Sequence, residues 1–176
     1  MIQKLCNRCG LAKFRKKIVQ GRGSIPADIL FIGESPGKAE NITGRAFTGR
    51  SGKLLNSMIE DAAPELRLSY YITNIVFCRP TDSKHGDNRE PTSEEVLACY
   101  SNLNNLIQRV KPKQIIFIGK ISEGYYKKEF PDAITIQRPS FLLKQGGKAS
   151  AYYLTNIRIL SEVFENFDKE NTSNTG

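Results

Sequence analysis

The stretch that decides the fold is "ADILFIGESPGKAENITGRAFTGRSGKLL", Ala27 to Leu55. Apart from Asp28 its first seven residues are apolar or glycine, and they end on Gly33. Such a run predicts a short strand buried on both faces. Downstream, "GKLLNSMIEDAA" puts Leu54, Leu55, Met58, Ile59 and Ala62 on one helical face. Between strand and helix lies a glycine-rich segment carrying Glu34, Glu40, Arg45, Arg50 and one aromatic ring, Phe47.

The same alternation continues. "YITNIVF", Tyr71 to Phe77, reads as a second strand. "PTSEEVLACYSNLNNLIQRV" opens with Thr92 and Glu95 at capping-box spacing. Its apolar positions Val96, Leu97, Tyr100, Leu103, Ile107 and Val110 keep helical period. "QIIFIG" and "AITIQ" are two further strands, and a last helix carries Tyr153, Ile157, Leu160, Phe164 and Phe167. Apolar strands separated by helices predict an α/β fold with a parallel sheet covered on both faces. Residues 1–168 form one expected domain, and 169–176 a frayed polar tail. In such a sheet ligands bind beyond the carboxyl ends of the strands. The chemistry should therefore lie in "GESPG", "CRPTDSKHGDN", "GKISEG" and "QRPSFLLKQGG", with Asn74 at the same rim.

Across its 176 residues the chain carries a formal net charge of +8, which suits a polyanionic partner such as nucleic acid. No window holds the apolar run a membrane span needs, and "MIQKLCNRCG" lacks an apolar signal core. A cytoplasmic setting, where thiols stay reduced, is expected. Four cysteines then suggest metal. Cys6 and Cys9 form a C-x2-C pair, and Cys78 and Cys99 follow singly. Spacing leaves zinc and an iron–sulfur cluster equally open.

Several chemistries are excluded. Gly33 and Gly37-Lys38 enclose only three residues and Ala39 follows, so the nucleotide phosphate loop is too short and lacks its metal hydroxyl. His85 is the single histidine and sits in a polar loop, which rules out sites needing more than one. The catalytic equipment is carboxylate, amide, arginine and one ring. These suit a flat, hydrogen-bonding ligand and charge that develops as it leaves.

Taken in order, "CNRCGL", "GRG", "ADILFIGESPGKAEN", "TGRAFTGRSGKLL", "YITNIVFCRP", "NREPTSEEVLAC", "IIFIG" and "RPSFLL" resemble the family 4, iron–sulfur uracil-DNA glycosylases. The resemblance implies a three-layer α/β/α sandwich with a short, mainly four-stranded parallel sheet. It implies a monomeric, monofunctional glycosylase that flips a base out of DNA and hydrolyses its glycosidic bond. A [4Fe-4S] cluster on Cys6, Cys9, Cys78 and Cys99 is implied too, with zinc the weaker alternative. So are Glu34 and Glu40 in water handling and transition-state stabilisation, and Phe47 stacked on a flipped pyrimidine beside Gly33 and Ser35. Asn74 would read the base edge. Arg45, Arg50 and Lys53 would meet phosphate, and "QRPSFLL", with Ser140, would be a loop entering the minor groove.

Three positions depart from that pattern. Arg138 stands where the family has histidine, Asn41 stands where it has an acid after Glu40, and the loop through "TDSKHGD" is longer. The altered motif keeps two other functions open. One is a glycosylase for a modified pyrimidine, such as one in invading phage DNA. The other is a non-catalytic iron–sulfur DNA-binding protein.

Overall fold

The computed structural model describes residues 5–65 and 68–173. Five strands form one sheet: β1 (Arg22–Gly23), β2 (Ile29–Gly33), β3 (Tyr70–Asn74), β4 (Gln114–Ile118) and β5 (Ile134–Ile136). Their spatial order is β1-β3-β2-β4-β5. The four expected parallel strands are present, and the two-residue β1 adds an antiparallel edge on β3. The second strand ends at Asn74 rather than Phe77. There the chain turns, and Ile75 N–H reaches back to the carbonyl of Gly33. From β2 the chain visits β3 on one side and β4 on the other. That reversal opens a crevice beyond the carboxyl end of β2.

Alternation along the strands decides what covers each face. Leu30, Ile32, Ile115 and Phe117 point to one side, where α3 (Ser93–Val110) packs with Val96, Leu103, Leu106 and Val110 and α4 (Lys120–Tyr126) with Tyr126. Ile29, Phe31, Ile72, Ile116, Ile118 and Ile136 point to the other. They meet α2 (Arg50–Ala62), α5 (Pro139–Lys144) and α6 (Ala151–Ser173). The result is the expected three-layer α/β/α arrangement. A six-residue helix, α1 (Lys38–Thr43), sits at the rim between β2 and α2.

Further sequence expectations need correction. Leu97 is 76% exposed, because it lies one residue, about 100° of helix, off the stripe, and Leu106 is buried instead. "RPSFLL" is not a loop: Arg138 is the N-cap and Pro139 the first residue of α5, and Leu142 is fully buried. Proline suits that position, where its missing N–H leaves no bond unmade. Of the expected polar tail, residues up to Ser173 continue α6, and residues 174–176 lie outside the described residues.

The helix start read from Thr92 and Glu95 is a complete capping box. Thr92 accepts from Glu95 N–H, and the Glu95 carboxylate accepts from Thr92 N–H at 2.9 Å. Arg89 adds two parallel bonds to that carboxylate at 2.8 and 2.9 Å. The guanidinium, helped by the cap, holds the Glu95 carboxyl below its ordinary range. Glu95→Ala should cost about 2 kcal/mol at neutral pH, from the lost cap and charge-assisted bonds. A carboxyl whose folded value is depressed contributes fully above its unfolded value, about 4.3, and loses that contribution as pH falls through the folded one. Urea unfolding should therefore show wild type and Glu95→Ala converging as pH falls below about 4. A constant gap across that range contradicts the assignment.

Candidate functional site

All four parallel strands deliver residues to one cleft of about 610 Å3, a size that suits a small flat ligand. Gly33 and Glu34 come from the end of β2, Asn74 from β3, Ile118 from β4 and Arg138 from beyond β5. Ser35, Phe47 and Arg50 also line it, with Asn88, Arg89 and Glu90 from the long loop after β3. The rim rule pointed to this loop as far as Asn88, but not to Arg89 and Glu90, because the stretch carries no periodicity to mark where the wall ends.

The turn bearing Phe47 is held by one carboxylate. Glu40 Oε1 accepts from the backbone N–H groups of Thr48 and Gly49, at 2.9 and 2.8 Å. Its Oε2 accepts from Gly37 N–H at 3.0 Å and so caps α1. Both oxygens are therefore committed to backbone. Glu40 lines the cleft, and with three of its roughly four acceptor sites on backbone its geometry is that of a clamp. From the other side Arg22 donates to the carbonyl of Ala46 at 2.8 Å and to Asn56.

Between these holds Phe47 adopts φ +54°, a left-handed conformation costly for a bulky residue. Gly52 makes room for it. A Cβ there would lie 1.9 Å from the carbonyl oxygen of Phe47. The ring in turn lies over Gly33, where an added Cβ would be 2.6 Å from Phe47 Cζ and 2.7 Å from Asn74 Oδ1. Ring and amide thus meet over a bare backbone. Asn74 is 1% exposed, and its Oδ1 is buried with no hydrogen-bond partner. An orphaned buried acceptor costs about 1–3 kcal/mol, so it calls for a donor from a ligand. The floor of the cleft therefore suits a planar ring with an N–H on its edge.

At the mouth Arg138 Nη1 meets Glu34 Oε2 at 3.1 Å, joining the ends of the first and last parallel strands. Their side chains are 46% and 19% exposed, respectively. Burial raises the Glu34 carboxyl above its ordinary value, Arg138 opposes the rise, and Glu90 adds to it. The pair occupies one of the five guanidinium donors. The departure at Asn41 has a plain structural use: its buried amide oxygen accepts from Lys16 N–H at 2.8 Å. Arg45, Arg50 and Lys53 are exposed and form no ion pair among the described residues. Ser140, on the first turn of α5, is exposed at the cleft edge.

The cysteines are brought together elsewhere. Cys6, Cys9, Cys78 and Cys99 line one small cavity between the N-terminal segment, the turn after β3 and α3. Arg15 Nη1 approaches Cys78 Sγ at 3.8 Å, and Asn102 Nδ2 approaches Cys99 Sγ at 3.9 Å. Burial pushes the Cys78 thiol up to about 11, although Arg15 opposes it. Among the described residues no three metal-ligating side chains converge closely enough to hold a single ion. Val19 N–H to Phe77 O, at 2.7 Å, and Arg8 to Ser101 lash the segment in place.

Gly33 is the position where the ring, the amide and the backbone meet. Gly33→Ala should displace the Phe47 ring while leaving β2 paired. The expected result is a folding cost of about 1–3 kcal/mol in denaturant titrations. The Asn74 side-chain amide resonance should shift in an NMR spectrum as the ring is pushed off it. An unmoved amide resonance would mean that the ring and amide do not meet over Gly33.

Comparison with known proteins agrees with this geometry. The model of the Uracil DNA glycosylase superfamily matches residues 20–161. A Type-4 uracil-DNA glycosylase of Saccharolobus solfataricus is 42% identical over 124 residues, 70% of this chain and 55% of its own length. That of Sulfurisphaera tokodaii is 35% identical over 175 residues, covering 91% of this chain and 77% of its own. That of Thermotoga maritima is 35% identical over 145 residues, 82% of this chain and 72% of its own. The chain thus spans little more than half of the first relative and about three quarters of the other two. The matched region takes in the whole sheet and every cleft residue named above, and the chain belongs to the uracil DNA glycosylase superfamily.

Proposed function

We propose that the chain is a monofunctional DNA glycosylase that flips uracil out of DNA and hydrolyses its N-glycosidic bond, leaving an abasic site. The observation that carries this reading is the orphaned Asn74 Oδ1 beneath the Phe47 ring. Uracil offers an N3–H to that oxygen, and the amide N–H2 offers donors to O4. Cytosine has an acceptor at N3 and fits less well. A base must leave the stack before its bond can be cut, and Phe47 supplies a face worth about 1–3 kcal/mol of stacking. The missing side chain at Gly33 lets backbone approach the ring closely. Ser35 adds a hydroxyl to the same turn.

As the C1′–N1 bond breaks, its electron pair goes to the base and the sugar takes on oxocarbenium character. Burial raises the Glu34 carboxyl and Arg138 opposes that rise; when ionised, the carboxylate favours the cationic sugar and orients a water towards C1′. The water's oxygen bonds to C1′, its proton is released, and the base leaves as an anion that is later protonated. Remaining Arg138 donors favour that anion or the flanking phosphate. Glu40 acts through the Phe47 turn. Arg45, Arg50, Lys53 and Ser140 meet the DNA backbone.

Cys6, Cys9, Cys78 and Cys99 hold a [4Fe-4S] cluster in this reading. Four thiols line one cavity, as a cluster held by four cysteines needs. Arg15 and Asn102 direct N–H groups at two of the sulfurs, as suits thiolate. Held by these four cysteines, a cluster would brace the N-terminal segment against α3 and the turn after β3. The chain acts as a single domain and a monomer, and among the described residues no helix is long and apolar enough to cross a membrane.

Single-turnover assays on a duplex with one uracil, developed with alkali, should reveal an abasic site. Asn74→Asp keeps the shape but repels O4, and should slow release on the order of a hundredfold. Undiminished release would remove Asn74 from the pocket. Arg138→Ala removes the charge that opposes burial at Glu34, so the Glu34 carboxyl should rise further. The acid limb of the rate profile should then move to higher pH. An unmoved limb would mean that Glu34 need not be ionised. Anaerobically purified protein should contain iron and sulfide together, and one zinc without iron would contradict the cluster.

A further inference from the structure

Beyond the cleft, the basic run Lys13–Lys17 has no role in the reading above. It follows the cysteine-bearing segment and lies against the far end of α1. Lys16 N–H donates to Asn41 within α1. The stem of Lys17 crosses Gly44, where an added Cβ would meet Lys17 Cδ at 2.9 Å. Gly44 caps α1 with φ +76°, and Arg45 follows directly. Lys13 is engaged over the Phe14 ring at 5.0 Å, and Arg15 is turned towards Cys78. Lys16 and Lys17 are exposed and, like Arg45, make no ion pair among the described residues. Of the cations lining the cleft, Lys38 pairs with Asp87, Arg89 with Glu95 and Arg138 with Glu34, while Arg50 stays unpaired among the described residues.

Position makes this group relevant to DNA. The near end of α1, Gly37, lines the cleft. At its other end α1 leads through Gly44 and Arg45 to Phe47, which lines the same cleft. The unpaired cations therefore flank the cleft on the segment that carries the ring, where the phosphates of the target strand would pass.

We propose that Lys16 and Lys17, together with Arg45, form a second phosphate track that grips the DNA strand beside the cleft. The proposal rests on the glycosylase reading for its ligand. It assigns Asn41 and Gly44 the task of seating the track: the amide anchors the backbone of Lys16, and the bare Gly44 lets the stem of Lys17 lie flat. The exposed ammonium groups are then held in register with the pocket, although they come from a segment distant in sequence.

The test is equilibrium binding of the full chain to an undamaged duplex across a salt series, with single-turnover uracil release measured at saturating protein. Lys16→Ala and Lys17→Ala should each flatten the plot of log affinity against log salt by about 0.9, one phosphate apiece. Release at saturation should hold, because neither residue lines the cleft. Lys128→Ala, an exposed lysine between α4 and the amino end of β5, is the control and should leave the slope unchanged. Slopes equal to wild type, with uracil release intact, overturn the track alone. Flattened slopes in a chain that releases no uracil support the track and overturn the glycosylase reading.

Discussion

One carboxylate organises the site. Glu40 spends both oxygens on three backbone N–H groups, from Gly37, Thr48 and Gly49. A carboxylate bonded to backbone donors is among the stronger hydrogen-bonding arrangements a protein offers. Here it joins the start of α1 to the turn that ends at α2 and so fixes the loop between them. Phe47 sits inside that loop in a backbone conformation it would not adopt unaided. Remove the clamp, and the ring has no reason to stand over Gly33.

The rest of the site is built outward from this hold. The reversal of strand order beside β2 supplies a crevice, and four strand ends aim side chains into it. Asn74 is buried with an unmade bond because the ring above and the glycine beneath exclude water. At the mouth, Arg138 places a permanent charge against Glu34. That charge acts on the carboxylate as well as on whatever lies in the cleft. The long loop after β3 is braced where it meets the site. Arg79 is buried and donates to Asn88 and the carbonyl of Gly86, and Lys38 holds Asp87. Its length therefore makes a wall.

Much of this was legible in the sequence, and for physical reasons. Strands buried on both faces must be continuously apolar, so "ADILFIG" and "QIIFIG" announced a covered parallel sheet. Thr92 and Glu95 announced a helix start because the cap is local. The rim rule then pointed to Glu34, Asn74 and Arg138. Three things were not legible. The end of the second strand at Asn74 depends on a backbone bond from Ile75 to Gly33 across the sheet. The helical state of "RPSFLL" depends on Leu142 finding a place in the core. The clamp role of Glu40 depends on which N–H groups the loop turns towards it. Each is a tertiary fact with no period or local spacing to mark it.

The central claim is that Glu40 works through Phe47 rather than on the substrate. A double-mutant cycle tests it most directly: single-turnover uracil release by wild type, Glu40→Gln, Phe47→Ala and the double variant. The amide at position 40 keeps one acceptor oxygen and loses the charge, so the turn loosens while the fold is kept. Residues that act as one unit give losses that do not add. The account predicts that the double variant is scarcely slower than Phe47→Ala alone, with all four proteins folded by circular dichroism. Losses that add in free energy would mean that Glu40 touches the reacting atoms itself, and would contradict the account.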